Sequence, residues 1–123
     1  MDTSFFDHER LDVYRISIGF NAWAGTLLDG PLEKCSLDTR KHLDQASSSI
    51  TLNIAEGNGR RGSRDRCKFL DISRGSALEC AACLDVLVAR RALAPEVVNE
   101  GKALLRRIAE MICKLIERIL ARR

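Results

Sequence analysis

From Gly101 onward, Leu105, Ile108, Ile112, Leu115 and Ile119 recur at alternating steps of four and three residues. Such a spacing keeps one line of apolar side chains on one side of an α-helix and commits that side to a neighbouring helix, as in the seam of a bundle. Leu104, Met111, Ile116 and Leu120 widen the apolar face beyond a single seam. Arg106, Arg107, Glu110, Lys114 and Arg118 form the wet side, with Glu110 and Lys114 at a favourable i,i+4 spacing. A helix of this kind cannot stand alone in water, so the rest of the chain has to supply its partners.

Those partners are legible as three further periodic segments. In the first, Val13, Ile16, Phe20, Trp23 and Leu27 make one stripe, and Leu11, Tyr14, Ile18, Ala22 and Gly25 make a second beside it. One stripe can face the bundle; the other is left to face a partner. Breaks fall at Asp29-Gly30-Pro31, at Gly57-Asn58-Gly59-Arg60-Arg61-Gly62 and at Leu93-Ala94-Pro95. Glycine is expected to supply left-handed helix stops, Asn-Gly a turn, and proline the first turn of the following helix. Ser36 and Ser63 are placed to cap the second and third helices, with Asp38 and Asp65 in their first turns, where the helix dipole favours negative charge. The reading is all-α: an antiparallel up-down-up-down four-helix bundle, one domain over 1–123, with helices at about 7–28, 37–57, 64–91 and 95–122. Helices of this length run roughly 30 to 40 Å.

Composition agrees, with 46% hydrophobic and 30% charged residues, 5% aromatics and two prolines in 123 residues. Met1-Asp2-Thr3-Ser4-Phe5-Phe6-Asp7 lacks the basic start and long apolar run of a signal peptide, and no stretch reaches the length of a membrane span. A cytoplasmic location without membrane association is expected. Five cysteines, Cys35, Cys67, Cys80, Cys83 and Cys113, make an odd count scattered over helices, which suits free thiols in a reducing compartment.

The second helix has an unusual core line of Leu43, Ala46, Ile50, Asn53 and Gly57, beside the run Ser47-Ser48-Ser49. Small residues admit a neighbouring helix closely, and Asn53 reads as a buried polar pin that fixes register. Glu56 lies near it and, if shielded, needs a cation; Arg74 on the third helix is the expected partner, with Ser76 and Glu79 completing the network. A catalytic role for Glu56 would require a cleft, a tuned pKa and a companion group, and the sequence offers no companion.

The runs Ser49-Ile50-Thr51-Leu52-Asn53-Ile54-Ala55-Glu56-Gly57, Ser63-Arg64-Asp65 and Phe69-Leu70-Asp71-Ile72-Ser73-Arg74-Gly75-Ser76-Ala77-Leu78-Glu79 resemble the bacterial four helix bundle protein family. That family is related to proteins encoded by intervening sequences in 23S ribosomal RNA genes and to the accessory variability determinant of diversity-generating retroelements. The resemblance covers almost the whole chain, from Leu11-Asp12-Val13-Tyr14 onward; Ser73 stands where many members have Ala. It implies a four-helix bundle that assembles as a homopentamer, in some members with nucleic acid or a reverse transcriptase as partner. It also implies that Asn53, Glu56, Arg74, Ser76 and Glu79 are fold and assembly residues.

Other motifs favour plain readings. The Gly57 to Gly62 loop has the spacing of a dinucleotide fingerprint, but follows a helix where that motif needs a preceding strand. Its glycines, the start of the third helix and Arg60, Arg61 and Arg64 suit at most an isolated phosphate. Cys80-Ala81-Ala82-Cys83 lacks two further zinc ligands, and His8 and His42 have no metal-spaced partner. No Ser/His/Asp or Cys/His set supports nucleophilic catalysis. No catalytic residue, metal, cofactor or small-molecule substrate is therefore expected.

Charge is lopsided. Residues 1–59 hold 5 basic and 9 acidic side chains, residues 60–123 hold 15 and 8. Arg60, Arg61, Arg64, Arg66 and Lys68 form the densest cationic group, and Arg106, Arg107, Lys114, Arg118, Arg122 and Arg123 a second. Either suits phosphate contacts, giving salt-sensitive, largely sequence-independent binding to nucleic acid. No aromatic residue is seen within either group, which counts against base stacking. The leading expectation is a non-enzymatic, self-assembling scaffold or accessory; the alternative is a nucleic-acid-binding accessory, associated with ribosomal RNA or with a reverse transcriptase, that uses the basic patch.

Overall fold

The chain is described by a computed structural model covering residues 3–122. Met1, Asp2 and Arg123, which enter the N-terminal and basic-group readings above, lie outside the described residues. Four α-helices make the body: α1 (Asp12–Leu28), α2 (Asp38–Gly59), α3 (Ser63–Ala89) and α4 (Asn99–Ala121), with short 3-10 turns at Asp7–Arg10 and Pro95–Val98. No strand occurs among the described residues.

Side-chain pairings give the direction of every helix. Thr51 on α2 meets Ser17 on α1, and Asn21 reaches back to Ser47. Along the next pair, Ile50 meets Ser73 and Ser47 meets Cys80. Between α3 and α4, Lys102 bonds Asp85 at one end while Cys67 and Leu120 share a depression at the other. Trp23 lies on Gly101, and Val13 shares a depression with Leu115, closing α1 against α4. Numbers rise on one helix as they fall on the next, so neighbours are antiparallel and the four form an up-down-up-down ring of contacts. Phe20, Leu43, Ile50, Ile54, Leu84, Ile108 and Ile112 fill the middle with no solvent exposure.

The α4 periodicity translates directly, since Gly101, Leu105, Ile108, Ile112 and Ile119 are its buried line and Leu115 is half-buried. In α1 the inner line is Val13, Ser17, Phe20, Ala24 and Leu27. Ile16 and Trp23 flank it, half-buried. A hydroxyl thus takes a core position that an apolar stripe alone assigns to Ile16.

Boundaries differ from expectation for local reasons. Leu11 is extended (φ −75°, ψ 128°), which separates the 3-10 turn at Asp7–Arg10 from α1. The caps of α2 and α3 are Leu37 and Gly62, neither with a side-chain cap bond, so Ser36 and Ser63 each stand one position from the capping role expected of them. The glycine stops are also corrected: among the described residues no glycine has positive φ, and the only left-handed residue is Arg91 (φ 62°). Arg91 ends α3 in a Schellman-type turn, with its N–H on Val88 O (3.0 Å) and the Ala92 N–H on Leu87 O (2.8 Å). Gly30 is needed for space instead, because a Cβ there would lie 2.6 Å from Thr26 O. Beyond it Leu32 tucks fully into the core, and Arg40 donates to Leu32 O (2.7 Å) and Leu28 O (3.0 Å), satisfying carbonyls at the end of α1. Gly57, Asn58 and Gly59 remain helical, so the expected turn contracts to Arg60–Gly62.

Candidate functional site

Small residues bring α2 and α3 together. A Cβ on Gly57 would stand 3.1 Å from Arg66 O and 3.2 Å from Phe69 Cβ, so its absence sets how closely the helices meet below the α2–α3 junction. Farther along, the fully buried Ser73 donates to Ile50 O (2.7 Å), and Ser47 donates to Leu43 O (2.6 Å) while lying 3.7 Å from the Cys80 sulfur. Buried hydroxyls that spend their hydrogen bonds on helix carbonyls fit a narrow interface without leaving orphaned polar atoms.

The polar residues expected to form one network divide into four places. Asn53 is half-buried and donates to Ser49 O (2.9 Å) and Ser49 Oγ (3.0 Å); Ser49 Oγ in turn meets Ser76 Oγ at 2.8 Å. Asn53, Ser49 and Ser76 therefore do come together along the α2–α3 seam. Glu56, however, is half-exposed and pairs with Arg60 one turn on, within its own helix end. Arg74 lies on the α4 side of α3, beside Ala109, Cys113, Lys114 and Glu117, with its Nε buried and without a hydrogen-bond partner. Glu79 is exposed. The expected Glu56–Arg74 pair is absent because Glu56 bonds Arg60 at the end of α2, while Arg74 lies on the side of α3 that faces α4.

The deep polar pin belongs to residues outside that list. Thr51 donates to the wholly buried Ser17 (2.9 Å), and Asn21 donates to Ser47 O (2.8 Å) and Thr51 Oγ1 (2.9 Å), locking the α1–α2 register. A signal was present: the 13, 17, 20, 24, 27 spacing places Ser17 on the inner line, with Asn21 one turn beyond it.

The basic residues cluster where α2 gives way to α3. Arg60 pairs with Glu56 and lays its guanidinium 4.7 Å from the centre of the Phe69 ring; Lys68 is 5.9 Å from the same ring. Arg61 and Arg64 are exposed and make no ion pair among the described residues. Arg66 is half-buried, with its Nε shielded and without a hydrogen-bond partner. On α4, Arg106 is tied to Glu110 at 3.0 Å, while Lys114 and Arg118 sit near Arg10 at the same end of the bundle as the junction.

Aromatic rings also reach this end, contrary to the expectation from the linear sequence. The Asp7 carboxylate accepts from the Asn58 side chain (3.0 Å), which fastens the N-terminal arm beside the α2–α3 junction. Phe5 and Phe6 on that arm are 90% and 67% exposed. Residues 51 positions apart in sequence are neighbours in space, so no local window contains both the cations and the rings.

The cysteines belong to the packing. All five are free thiols, and Cys80 and Cys83 are buried on α3. Burial pushes the Cys80 thiol up to about 12, against a smaller lowering by the Ser47 hydrogen bond, and burial likewise raises Cys83. Among the described residues no group of three His, Cys, Asp or Glu side chains could hold a metal ion, and no helix is long and apolar enough to cross a membrane.

Comparison with solved structures places the same architecture elsewhere. A protein of unknown function from the S23 ribosomal protein family of Bacteroides thetaiotaomicron has a similar fold, with a TM-score of 0.75 at 19% identity, covering 85% of this chain and 97% of that one. No curated protein matches the sequence. The family described as 23S rRNA-intervening sequence protein matches over residues 9–114, which takes in all of α1, α2 and α3 and most of α4. On that match this four-helix bundle belongs to the 23S rRNA-intervening sequence protein family.

Proposed function

We propose that this protein is a non-enzymatic helical bundle that self-assembles and serves as a scaffold or accessory in the cytoplasm. The observation that carries the reading is the outer face of α1. From Ile16 to Leu28 the chain has no ionisable residue, although Ile18, Gly19, Ala22 and Thr26 point to solvent in the complete bundle. Ile18 and Leu52, 46% and 66% exposed, flank one shallow depression between α1 and α2. Ile72, Leu78 and Val86 are also exposed on the outward side of α3, among the exposed Asp71, Glu79 and Asp85. Apolar surface left outside a finished core favours burial against another molecule, and a second, different surface on α3 suits a head-to-tail contact that closes a ring. Five copies is the number that the family resemblance implies. Replacing Ile18 and Leu52 with Glu is expected to yield a monomer of unchanged helix content by light scattering and circular dichroism. A wild-type chain that is monomeric throughout the micromolar range defeats the proposal.

A second reading, nucleic-acid binding, is favoured by the gathering of Arg60, Arg61, Arg64 and Lys68 at one junction and by the ribosomal RNA context in the family's description. Repeated around a ring, this group forms a basic band suited to phosphate contacts. A reverse transcriptase is the alternative macromolecular partner that the resemblance brings. Replacement of Arg61 and Arg64 with Glu is expected to abolish retention of a labelled RNA and to flatten its salt dependence; unchanged binding removes the assignment.

A further inference from the structure

We propose that the N-terminal arm and the α2–α3 junction together form a platform for single-stranded nucleic acid, on which Phe5 and Phe6 stack with unpaired bases while Arg61 and Arg64 hold adjacent phosphates. The inference rests on the nucleic-acid reading above and adds to it the form of the polynucleotide and the residues that meet its bases.

The rings are presented by an ordered backbone. The Glu9 carboxylate accepts the N–H groups of both Phe5 and Phe6, with the Phe5 bond at 3.1 Å. Arg15 donates to Glu9 O (3.1 Å) and Arg10 O (2.8 Å), and Asp7 is held by Asn58. Phe6 lies parallel to His8, with ring centres 5.8 Å apart and planes 5° from each other, and His8 leans on Tyr14 at 4.8 Å. Phe5 and Phe6 are held at the backbone, yet neither belongs to the core, and Phe5 is almost wholly in water. Ordering the backbone that carries the rings reduces the ordering cost of a later stacking contact.

The charge that suits a polyanion lies at the junction and not on the arm, where Asp7 and Glu9 accept from neutral N–H donors and keep their charge. Glu56 is paired with Arg60. Arg60 is therefore largely spent on Glu56 and Phe69, which leaves Arg61 and Arg64 as the cations open to phosphate. A duplex hides its base faces, whereas a single strand can splay bases onto aromatic rings and run its backbone along neighbouring cations. The occupant is therefore single-stranded, and base identity matters little because every base has a π-face.

The test is fluorescence anisotropy of the full chain with a labelled oligo-uridine of about 12 nucleotides, a length within the range of single-strand sites, and with a duplex of equal length. Wild type is expected to prefer the single strand. Phe5→Leu with Phe6→Leu, which keeps apolar bulk but removes the π-faces, is expected to weaken binding by at least about tenfold with an unchanged salt slope. Phe5→Trp with Phe6→Trp retains binding, and Arg61→Ala with Arg64→Ala lowers the slope. Equal binding by the Leu variant, or equal affinity for duplex, overturns this inference and leaves the nucleic-acid reading standing. No binding by wild type overturns both. A Leu variant that loses binding together with a change in subunit number assigns the rings to contact with a second copy, and also overturns the inference.

Discussion

Gly101→Ala tests the close approach of α1 and α4. A Cβ built on Gly101 falls 2.2 Å from two carbons of the Trp23 ring and 2.7 Å from a third. Ordinary carbon contacts lie at about 3.5 to 4.0 Å, so the indole has to move by more than about 1 Å, or α4 has to lift. Trp23 is half-buried and packs against the core beside Phe20, their ring centres 5.6 Å apart, so the displacement is transmitted inward. Overpacking of this kind costs about 1 to 3 kcal/mol. Helix propensity opposes it, since Ala exceeds Gly by up to about 1 kcal/mol in a helix interior, and less here in the first turn of α4. The net expectation is a loss of about 1 to 2 kcal/mol. For a chain of 123 residues that lowers Tm by about 4 °C per kcal/mol. Urea unfolding followed by circular dichroism, at one fixed protein concentration, measures it. In a Trp23→Leu background the same substitution is expected to be neutral or mildly stabilising, giving a coupling of about 2 kcal/mol. A stabilising Gly101→Ala in the wild-type background, or the same cost in both backgrounds, refutes the argument.

Other substitutions probe separate features. Arg91→Gly relieves a left-handed non-glycine residue and is expected to raise stability by about 1 kcal/mol in the same urea assay. Ser73→Ala removes a hydroxyl whose acceptor, Ile50 O, already belongs to the helix ladder, so it costs under about 1 kcal/mol, whereas Ser73→Leu forces α2 and α3 apart and costs more than about 2 kcal/mol. Burial holds Cys80 protonated well above its ordinary 9.0, so the folded chain keeps a proton that the unfolded chain loses. That part of the stability is intact below about pH 9 and falls as pH rises toward about 12, at up to about 1.4 kcal/mol per pH unit. The same burial protects Cys80 from alkylation at pH 8 until the chain is unfolded, which mass mapping of iodoacetamide adducts reads directly.

The bundle was legible because four long apolar periodicities, each broken by Gly or Pro, leave few other ways to bury their faces. Local details were less so, because several residues in one short window satisfy the same rule. Ser36 and Ser63 are good capping residues, but the chain turns one residue later, at Leu37, and one earlier, at Gly62. Asn53 and Ile54 differ by a single 100° step, and Ile54 takes the core while Asn53 bonds along the seam. Glu56 and Arg74 do not meet, because Arg74 lies on the side of α3 that faces α4 while Glu56 bonds Arg60 at the end of α2. Trp23 over Gly101 and Asp7 on Asn58 are contacts between distant segments that no local pattern encodes.

Self-assembly through apolar outer faces can be read from native mass spectrometry of gently purified protein, with no nuclease added. One spectrum reports both subunit number and retained polynucleotide. The expected species is a closed multimer, five copies on the family resemblance, that becomes monomeric when Ile18 and Leu52 are replaced by Glu. A wild-type monomer at micromolar concentration contradicts it and leaves the uncharged outer face of α1 without a partner.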